Sequence, residues 1–149
     1  MENIQTTEYR KENTEKRKIV SFKDLGAWKE GHQLVLMVYR LTKNFPKDEI
    51  FGLTNQIRRA VVSITSNVAE GFGRSSSKEK HQFYSIARGS VTEVQNQLLV
   101  SKDVGYITPA DFDEADQQAD LVHKIITGLV KSTRLLPVFA IFYILYSPF

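Results

Sequence analysis

The stretch Gln56-Ile-Arg-Arg-Ala-Val-Val-Ser-Ile-Thr-Ser-Asn-Val-Ala-Glu-Gly71 decides the fold of this chain. Its aliphatic residues recur at helical spacing and define one apolar face, while most of its polar residues lie almost opposite. The apolar face consists of Ile57, Val61, Ile64 and Val68. The pattern predicts a helix that buries one side and keeps a polar stripe on the other. We expect Gly71 to close this helix in a left-handed conformation, which glycine adopts at little cost.

Two further helices are predicted around this one. The first spans about residues 23–44 and stops before Pro46, because proline disfavours the helical conformation of the residue that precedes it. The central helix itself begins near Asp48, whose acidic side chain suits the first turn of a helix. After a short loop, Ser76 and Glu79 have the spacing of a capping box and start the third helix, which ends near Gly105.

The fourth helix starts at Thr108-Pro109, a capping hydroxyl followed by proline at the first helical position. Its apolar residues then step by three and four, as in a coiled-coil seam. The seam consists of Phe112, Ala115, Ala119, Val122, Ile126 and Leu129. Four helices with short connections and no strand pattern predict an all-α fold, an antiparallel up-and-down four-helix bundle.

The composition divides the chain of 149 residues into three parts. Residues 1–21 form a polar arm without apolar periodicity, which we expect to be disordered. Residues 22–134 form the bundle, and residues 135–149 form an uncharged apolar tail of unassigned role. Because this tail contains two prolines and is shorter than the ~20 residues of a spanning helix, a membrane anchor is disfavoured. With no cysteine and no secretory signal, we expect a cytoplasmic protein.

The first helix carries more apolar surface than one intramolecular face requires. Residues 34–39 are apolar on every side of the helix, which favours oligomerisation. We assign the subunit interface to Leu34, Met37 and Leu41.

No arrangement of residues indicates catalysis or a cofactor. His32, His81 and His123 are scattered, without the spacing of a metal site, and the absence of cysteine excludes thiolate ligands. The glycine-containing loop at residues 71–78 lacks the Walker spacing and a preceding strand, so nucleotide hydrolysis is disfavoured. The sequence therefore predicts a protein that is not an enzyme and needs neither metal nor cofactor.

Basic residues near the central helix and the following loop suggest contacts with the phosphates of a nucleic acid. The candidates are Arg58, Arg59, Arg74, Lys78, Lys80 and Arg88. Ordinary capping and solvation remain an alternative explanation for them.

The polar stripe of the central helix also supplies two residues for a structural network, Asn67 and Glu70. The charge of Glu70 opposes the helix dipole at the end of the helix, so it needs a cationic partner such as Arg74 or Arg88. A ligand site is the alternative interpretation of this stripe.

Several ordered motifs together resemble the bacterial four-helix bundle proteins encoded within 23S ribosomal RNA intervening sequences. The resemblance spans about residues 22–134 and excludes the arm and the tail. Its motifs are Phe22-Lys-Asp-Leu25 with Trp28, Phe45-Pro46, Phe51-Gly-Leu53, Gln56-Ile-Arg-Arg-Ala60, Ser66-Asn-Val-Ala-Glu-Gly71, Ala87-Arg-Gly-Ser90 with Glu93, and Gly105-Tyr-Ile107.

The resemblance implies a ring-like homopentamer of small helical bundles. A related member is the accessory variability protein of diversity-generating retroelements, whose basic surface binds nucleic acid and a reverse transcriptase. The leading hypothesis is therefore an oligomeric bundle that binds RNA or DNA, with structured RNA favoured, through the six basic residues named above. The alternative is a scaffold that docks a partner protein, such as a reverse transcriptase, and has no nucleic-acid role.

Overall fold

The computed structural model describes residues 18–134, and in this part of the chain it contains four α-helices and no strand. The α-helices are α1 (Gly26–Leu41), α2 (Leu53–Gly73), α3 (Ser77–Asp103) and α4 (Pro109–Ser132). Short 3-10 helices lie at Phe22–Asp24, Thr42–Asn44 and Lys47–Ile50. The prediction of an all-helical, four-helix fold is confirmed. Predictions for residues 1–17 of the arm and for the tail at 135–149 concern residues outside the described part.

Each α-helix packs against two neighbours, in the cyclic order α1, α2, α3, α4 and back to α1. Because short loops join consecutive helices, neighbours run antiparallel and enclose one hydrophobic core. The four aliphatic residues of α2 that were predicted to face the core are fully buried: Ile57, Val61, Ile64 and Val68. Burying a side chain of this size contributes about 1.5–3 kcal/mol each. The apolar stripe of α2 therefore anchors the bundle.

Helix α2 begins later than the sequence predicts. Residues Lys47–Ile50 form a separate 3-10 helix, and α2 starts only at Leu53. The Glu49 carboxylate accepts the N–H of Leu53 at 2.8 Å and the hydroxyl of Tyr106 at 3.1 Å. Glu49 thus caps α2 from outside the helix and ties its start to the loop between α3 and α4.

Gly71 does not close α2, and this prediction is wrong. The helix continues to Gly73, and within residues 18–134 only Gly105 has a positive φ, at 80°. A Cβ atom at Gly71 would lie 2.6 Å from Cε1 of Tyr84 on α3. Glycine is required here by the close approach of a buried aromatic ring, not by backbone conformation.

The starts of α3 and α4 are found where the local sequence predicts them. Ser76 accepts the backbone N–H of Glu79 at 3.2 Å at the start of α3, and Thr108 accepts that of Asp111 at 3.1 Å at the start of α4. These caps involve residues three positions apart, so the local sequence contains all the information they require.

The interface assigned to α1 is wrong for two of its three residues. Leu34 is 0% exposed and Leu41 is 8% exposed, so both belong to the core of the chain itself, whereas Met37 is half-buried. Since α1 is apolar on every side, the pattern alone does not identify the face that turns inward. The apolar side chains that do remain exposed on this helix are Leu36 and Tyr39.

No α-helix within residues 18–134 combines the length and apolarity needed to cross a membrane.

Candidate nucleic-acid interface

Charged residues are separated along the axis of the bundle. The turn between α2 and α3 lies at one end together with the last turn of α4, whereas the loops that follow α1 and α3 lie at the other. We call the first the basic end; it comprises Arg74, Lys78, Lys80, His81, Lys131 and Arg134 with the acidic residues Glu70 and Glu79, and the adjoining start of α1 adds Lys23 and Asp24. At the opposite end Asp48, Glu49, Asp103, Asp111, Asp113 and Glu114 outnumber Arg40, Lys43, Lys47 and Lys102. The bundle therefore presents a cationic and an anionic end.

Arg74 at the basic end is engaged by two carboxylates. Its guanidinium pairs with Glu70 and lies 3.8 Å from the Glu79 carboxylate, and it also covers the ring of Phe83 at 4.8 Å. A hydrogen bond of 2.7 Å donated by the Ser76 hydroxyl lowers the pKa of Glu79, which keeps this carboxylate charged. Arg74 thus holds the turn together and supplies the partner that Glu70 needs at the end of α2.

Lys80 is also occupied within the chain. Its ammonium donates to the Phe72 carbonyl at 2.9 Å and approaches the Gly71 carbonyl at 3.4 Å. These carbonyls belong to the last turn of α2, where a cation satisfies acceptors that lack a helical partner and complements the dipole. Lys80 is therefore a capping residue.

Two other cations of the basic end, Lys78 and Arg134, line a cavity of about 300 Å³ together with His81 and Thr133. Within residues 18–134, neither the Lys78 ammonium nor the Arg134 guanidinium forms an ion pair or a hydrogen bond. Both side chains are exposed. They are available to an anionic ligand, unlike Arg74 and Lys80.

Two residues of the polar stripe of α2, Ser63 and Asn67, take part in the contact with α3. The Asn67 amide donates to the Ser63 carbonyl at 2.8 Å and to the Ser63 hydroxyl at 3.0 Å. That hydroxyl lies 2.9 Å from the hydroxyl of Ser90 on α3. Asn67 and Glu70 thus occupy two separate networks, one between helices and one at the turn, instead of a shared ligand site.

Arg58 and Arg59 lie away from the basic end, along the surface between α1 and α2. Arg58 donates to the Thr42 hydroxyl at 2.8 Å and covers the ring of Tyr39 at 4.9 Å. Arg59 is exposed beside the same groove, which measures about 460 Å³. We call this surface the α1–α2 seam; its groove is lined by Tyr39, Asn55, Arg58, Arg59, Val62, Ser63 and Ser66.

The six basic residues predicted to bind nucleic acid do not form one surface. Arg74, Lys78 and Lys80 lie at the basic end, Arg58 and Arg59 at the α1–α2 seam, and Arg88 is half-buried along α3.

The sequence-based assignment missed Lys131 and Arg134 as members of the basic end, although His81 was placed beside Arg74, Lys78 and Lys80 at the start of the third helix. His81 approaches Thr133 although 52 residues separate them in the chain. The antiparallel topology brings the end of α4 beside the start of α3, and no local sequence motif indicates that these two segments are close.

Within residues 18–134, no three histidine or acidic side chains are grouped in a way that could hold a metal ion. Partial burial and the neighbouring carboxylates of Asp120 and Asp113 raise the pKa of Asp116. It lies on α4, outside the α1–α2 seam and the cavity at the basic end.

Comparison with known proteins identifies the family to which the fold belongs. A family model described as 23S rRNA-intervening sequence protein matches residues 23–128. A crystal structure of a protein of unknown function from the S23 ribosomal protein family of Bacteroides thetaiotaomicron is 19% identical to the chain. It covers 70% of this chain and 98% of its own, with a TM-score of 0.66, and so supports the fold. None of the curated proteins matches the chain.

Proposed function

Because the chain belongs to the family of 23S rRNA-intervening sequence proteins, we propose that it is a non-enzymatic, oligomeric helical bundle that binds structured RNA. The observation that carries this proposal is the separation of charge along the bundle, which leaves cations without an ion-pair partner among residues 18–134 at one end. Such a patch attracts the phosphate backbone, and two of its carboxylates, Glu70 and Glu79, are paired with Arg74.

The contacts expected at the basic end differ from those predicted from sequence. Arg74 and Lys80 hold the turn and cap α2, so their removal would disturb folding as well as binding. Three other cations are exposed and can contact phosphates without breaking an interaction within residues 18–134: Lys78, Lys131 and Arg134. We therefore assign the phosphate contacts to these three side chains.

Salt dependence provides the quantitative test. If three phosphates are contacted, affinity for a duplex should fall about 40-fold between about 50 and 200 mM salt, because each contact releases condensed counterions. Replacing Lys78 or Arg134 by Ala should weaken binding without sequence preference and reduce the slope by about one contact. The matched control is Lys43→Ala, an exposed lysine at the anionic end, which should leave both quantities unchanged.

Filter binding or fluorescence anisotropy with a hairpin RNA measures these changes. Binding that is absent, or that is insensitive to salt, contradicts the proposal. An equal loss from Lys43→Ala and Lys78→Ala contradicts the assignment to the basic end.

The α1–α2 seam supports the oligomeric part of the proposal. Two large apolar side chains remain exposed there, Tyr39 at 40% and Val62 at 39%, and Leu36, at 52%, is exposed on the outer face of α1. The first two lie beside Arg58 and Arg59, and tyrosine and arginine are the residues enriched where proteins associate. We infer that the seam, and not the buried residues Leu34 and Leu41, contacts the next subunit of a ring-like homopentamer.

Molar mass in solution tests this assignment. Val62→Glu should lower the mass measured by light scattering, because it introduces a charge at the centre of an apolar contact. Leu121→Glu on α4 is the matched control, since Leu121 is also an exposed aliphatic residue. This substitution should leave the mass unchanged.

The scaffold hypothesis makes a different prediction for the same seam. If Val62→Glu leaves the oligomer intact but abolishes recovery of a defined protein after nuclease treatment, the seam docks a partner protein. If the wild-type protein recovers no partner after this treatment and retains its RNA, the scaffold alternative is contradicted.

A further inference from the structure

We propose that the cavity lined by Lys78, His81, Thr133 and Arg134 binds a terminal phosphate monoester of the nucleic acid. This inference rests on the proposed function and names the chemical group that the basic end would hold most tightly. The terminal phosphate lies at the end of a nucleic-acid strand, whereas the salt-dependent contacts proposed above are made with phosphates along the strand.

The cavity lies between the first turns of α3 and the last turn of α4. Its volume of about 300 Å³ is at the lower limit of small-ligand sites, which suits a phosphate group and part of its sugar. Among residues 18–134, three of its four lining side chains are basic and the fourth is a hydroxyl. No acidic side chain of this part of the chain lines it, so an anion entering the cavity meets cationic groups and no carboxylate from residues 18–134.

His81 has a defined orientation at this cavity. Its Nδ1 lies 3.3 Å from the Val130 carbonyl and 3.3 Å from the Thr133 hydroxyl oxygen. The Thr133 hydroxyl donates its own proton to the Val130 carbonyl at 2.9 Å, so both oxygens accept from the imidazole. Nδ1 must therefore carry a proton, and Nε2 remains available to a ligand. In the protonated ring Nε2 also donates.

Lys78 and Arg134 supply permanent charge. Their neighbours Arg74 and Lys80 are engaged by Glu70 and by the last carbonyls of α2, whereas Lys78 and Arg134 form no ion pair with the part of the chain that the structure describes. Lys78 also lies in the first turn of α3, where the helix dipole adds partial positive charge. The charge around the cavity therefore exceeds what one singly charged group would balance.

A terminal monoester matches this surplus better than an internal diester. A phosphate monoester carries about −1.5 to −2 charges near neutral pH and three terminal acceptor oxygens. An internal diester carries one negative charge and two such oxygens. The two permanent cations balance the monoester, and its third oxygen can accept a hydrogen bond from Nε2 of His81 in the protonated ring.

The test compares one RNA hairpin in three forms, with a phosphate on its first nucleotide, with a phosphate on its last nucleotide, or with hydroxyls at both ends. The full chain should bind at least one phosphorylated form about tenfold more tightly than the hydroxyl form, the effect of one added charge-assisted hydrogen bond. Lys78→Ala and His81→Gln should each remove this preference. Lys131→Ala, which changes the basic end outside the cavity lining, should weaken all forms equally and keep the preference.

The outcomes separate this inference from the proposed function. If all three forms bind equally well, the terminal site is refuted and backbone binding remains. If none binds, the proposed function fails as well. A preference that survives in both Lys78→Ala and His81→Gln places the terminal phosphate elsewhere and overturns the assignment of the cavity.

Discussion

Replacing Gly71 by alanine tests whether the contact between α2 and α3 depends on the absence of a side chain. The added Cβ would lie 2.6 Å and 2.8 Å from two ring carbons of Tyr84, and 3.2 Å from Cβ of Phe83. Tyr84 is only 5% exposed, so its ring cannot move into solvent without opening the core. Overpacking of this kind typically costs about 1–3 kcal/mol.

The higher helix propensity of alanine opposes this cost. Alanine within a helix is favoured over glycine by about 0.5–1 kcal/mol, so Gly71→Ala should gain this stability but lose more through the contact with Tyr84. Gly89→Ala on α3 measures the effect of helix propensity alone, because Gly89 is exposed and no atom lies within 4 Å of a Cβ built there. Gly89→Ala should stabilise the chain while Gly71→Ala should destabilise it or leave it unchanged. The two variants should therefore differ by about 1–3 kcal/mol in their free energy of unfolding.

Urea denaturation followed by circular dichroism measures this difference, which corresponds to a separation in Tm of about 4–12 °C for a chain of this size. A second comparison introduces Gly71→Ala into a Tyr84→Leu background, where the ring carbons that meet the new Cβ are absent. The cost of Gly71→Ala should then shrink, since residues in contact are not additive. Equal stability of the Gly71→Ala and Gly89→Ala variants would refute the steric argument.

Two further predictions concern α4. Thr108→Ala removes the hydroxyl that accepts the Asp111 N–H and should lower the free energy of unfolding by about 1 kcal/mol, whereas Thr92→Ala on an exposed face of α3 should cost nothing. Asp116→Asn should raise stability at about pH 7. Partial burial and the charge of Asp120 raise the Asp116 pKa, so the folded state binds this proton more tightly and loses stability as pH rises through the carboxyl range. Denaturation measured at a series of pH values should show that the stability gained by Asp116→Asn vanishes below about pH 4. If the variant remains more stable than the wild type below that pH, the electrostatic cause is contradicted.

Features that depend on neighbouring residues in the chain were predictable. The apolar face of α2, the cap at Ser76 and the cap at Thr108 each involve residues within one or two helical turns, and the structure has them as expected. The four-helix fold follows from the same information, because short loops leave consecutive helices few ways to pack. Membership of the family also follows from the ordered motifs.

Features that depend on distant residues were mispredicted or missed. Gly71 was interpreted as a helix end, because sequence does not reveal that Tyr84 packs against it. Leu34 and Leu41 were placed at an interface, because a helix that is apolar on every side has no unique inner face. Among the six candidate basic residues, sequence did not distinguish Arg74 and Lys80, which are occupied within the chain, from Lys78, which has no such partner among residues 18–134.

The sequence by itself determined that this protein is a four-helix bundle of a recognisable family, since helical periodicity and capping act over a few residues. Only the tertiary structure decided which cations are available and where they meet. The antiparallel packing brings the end of α4 to the start of α3, so that Arg134 joins Lys78 and His81 around one cavity. The physical reason is that a charge becomes a binding group only when no partner within the fold satisfies it, and those partners come from distant parts of the chain.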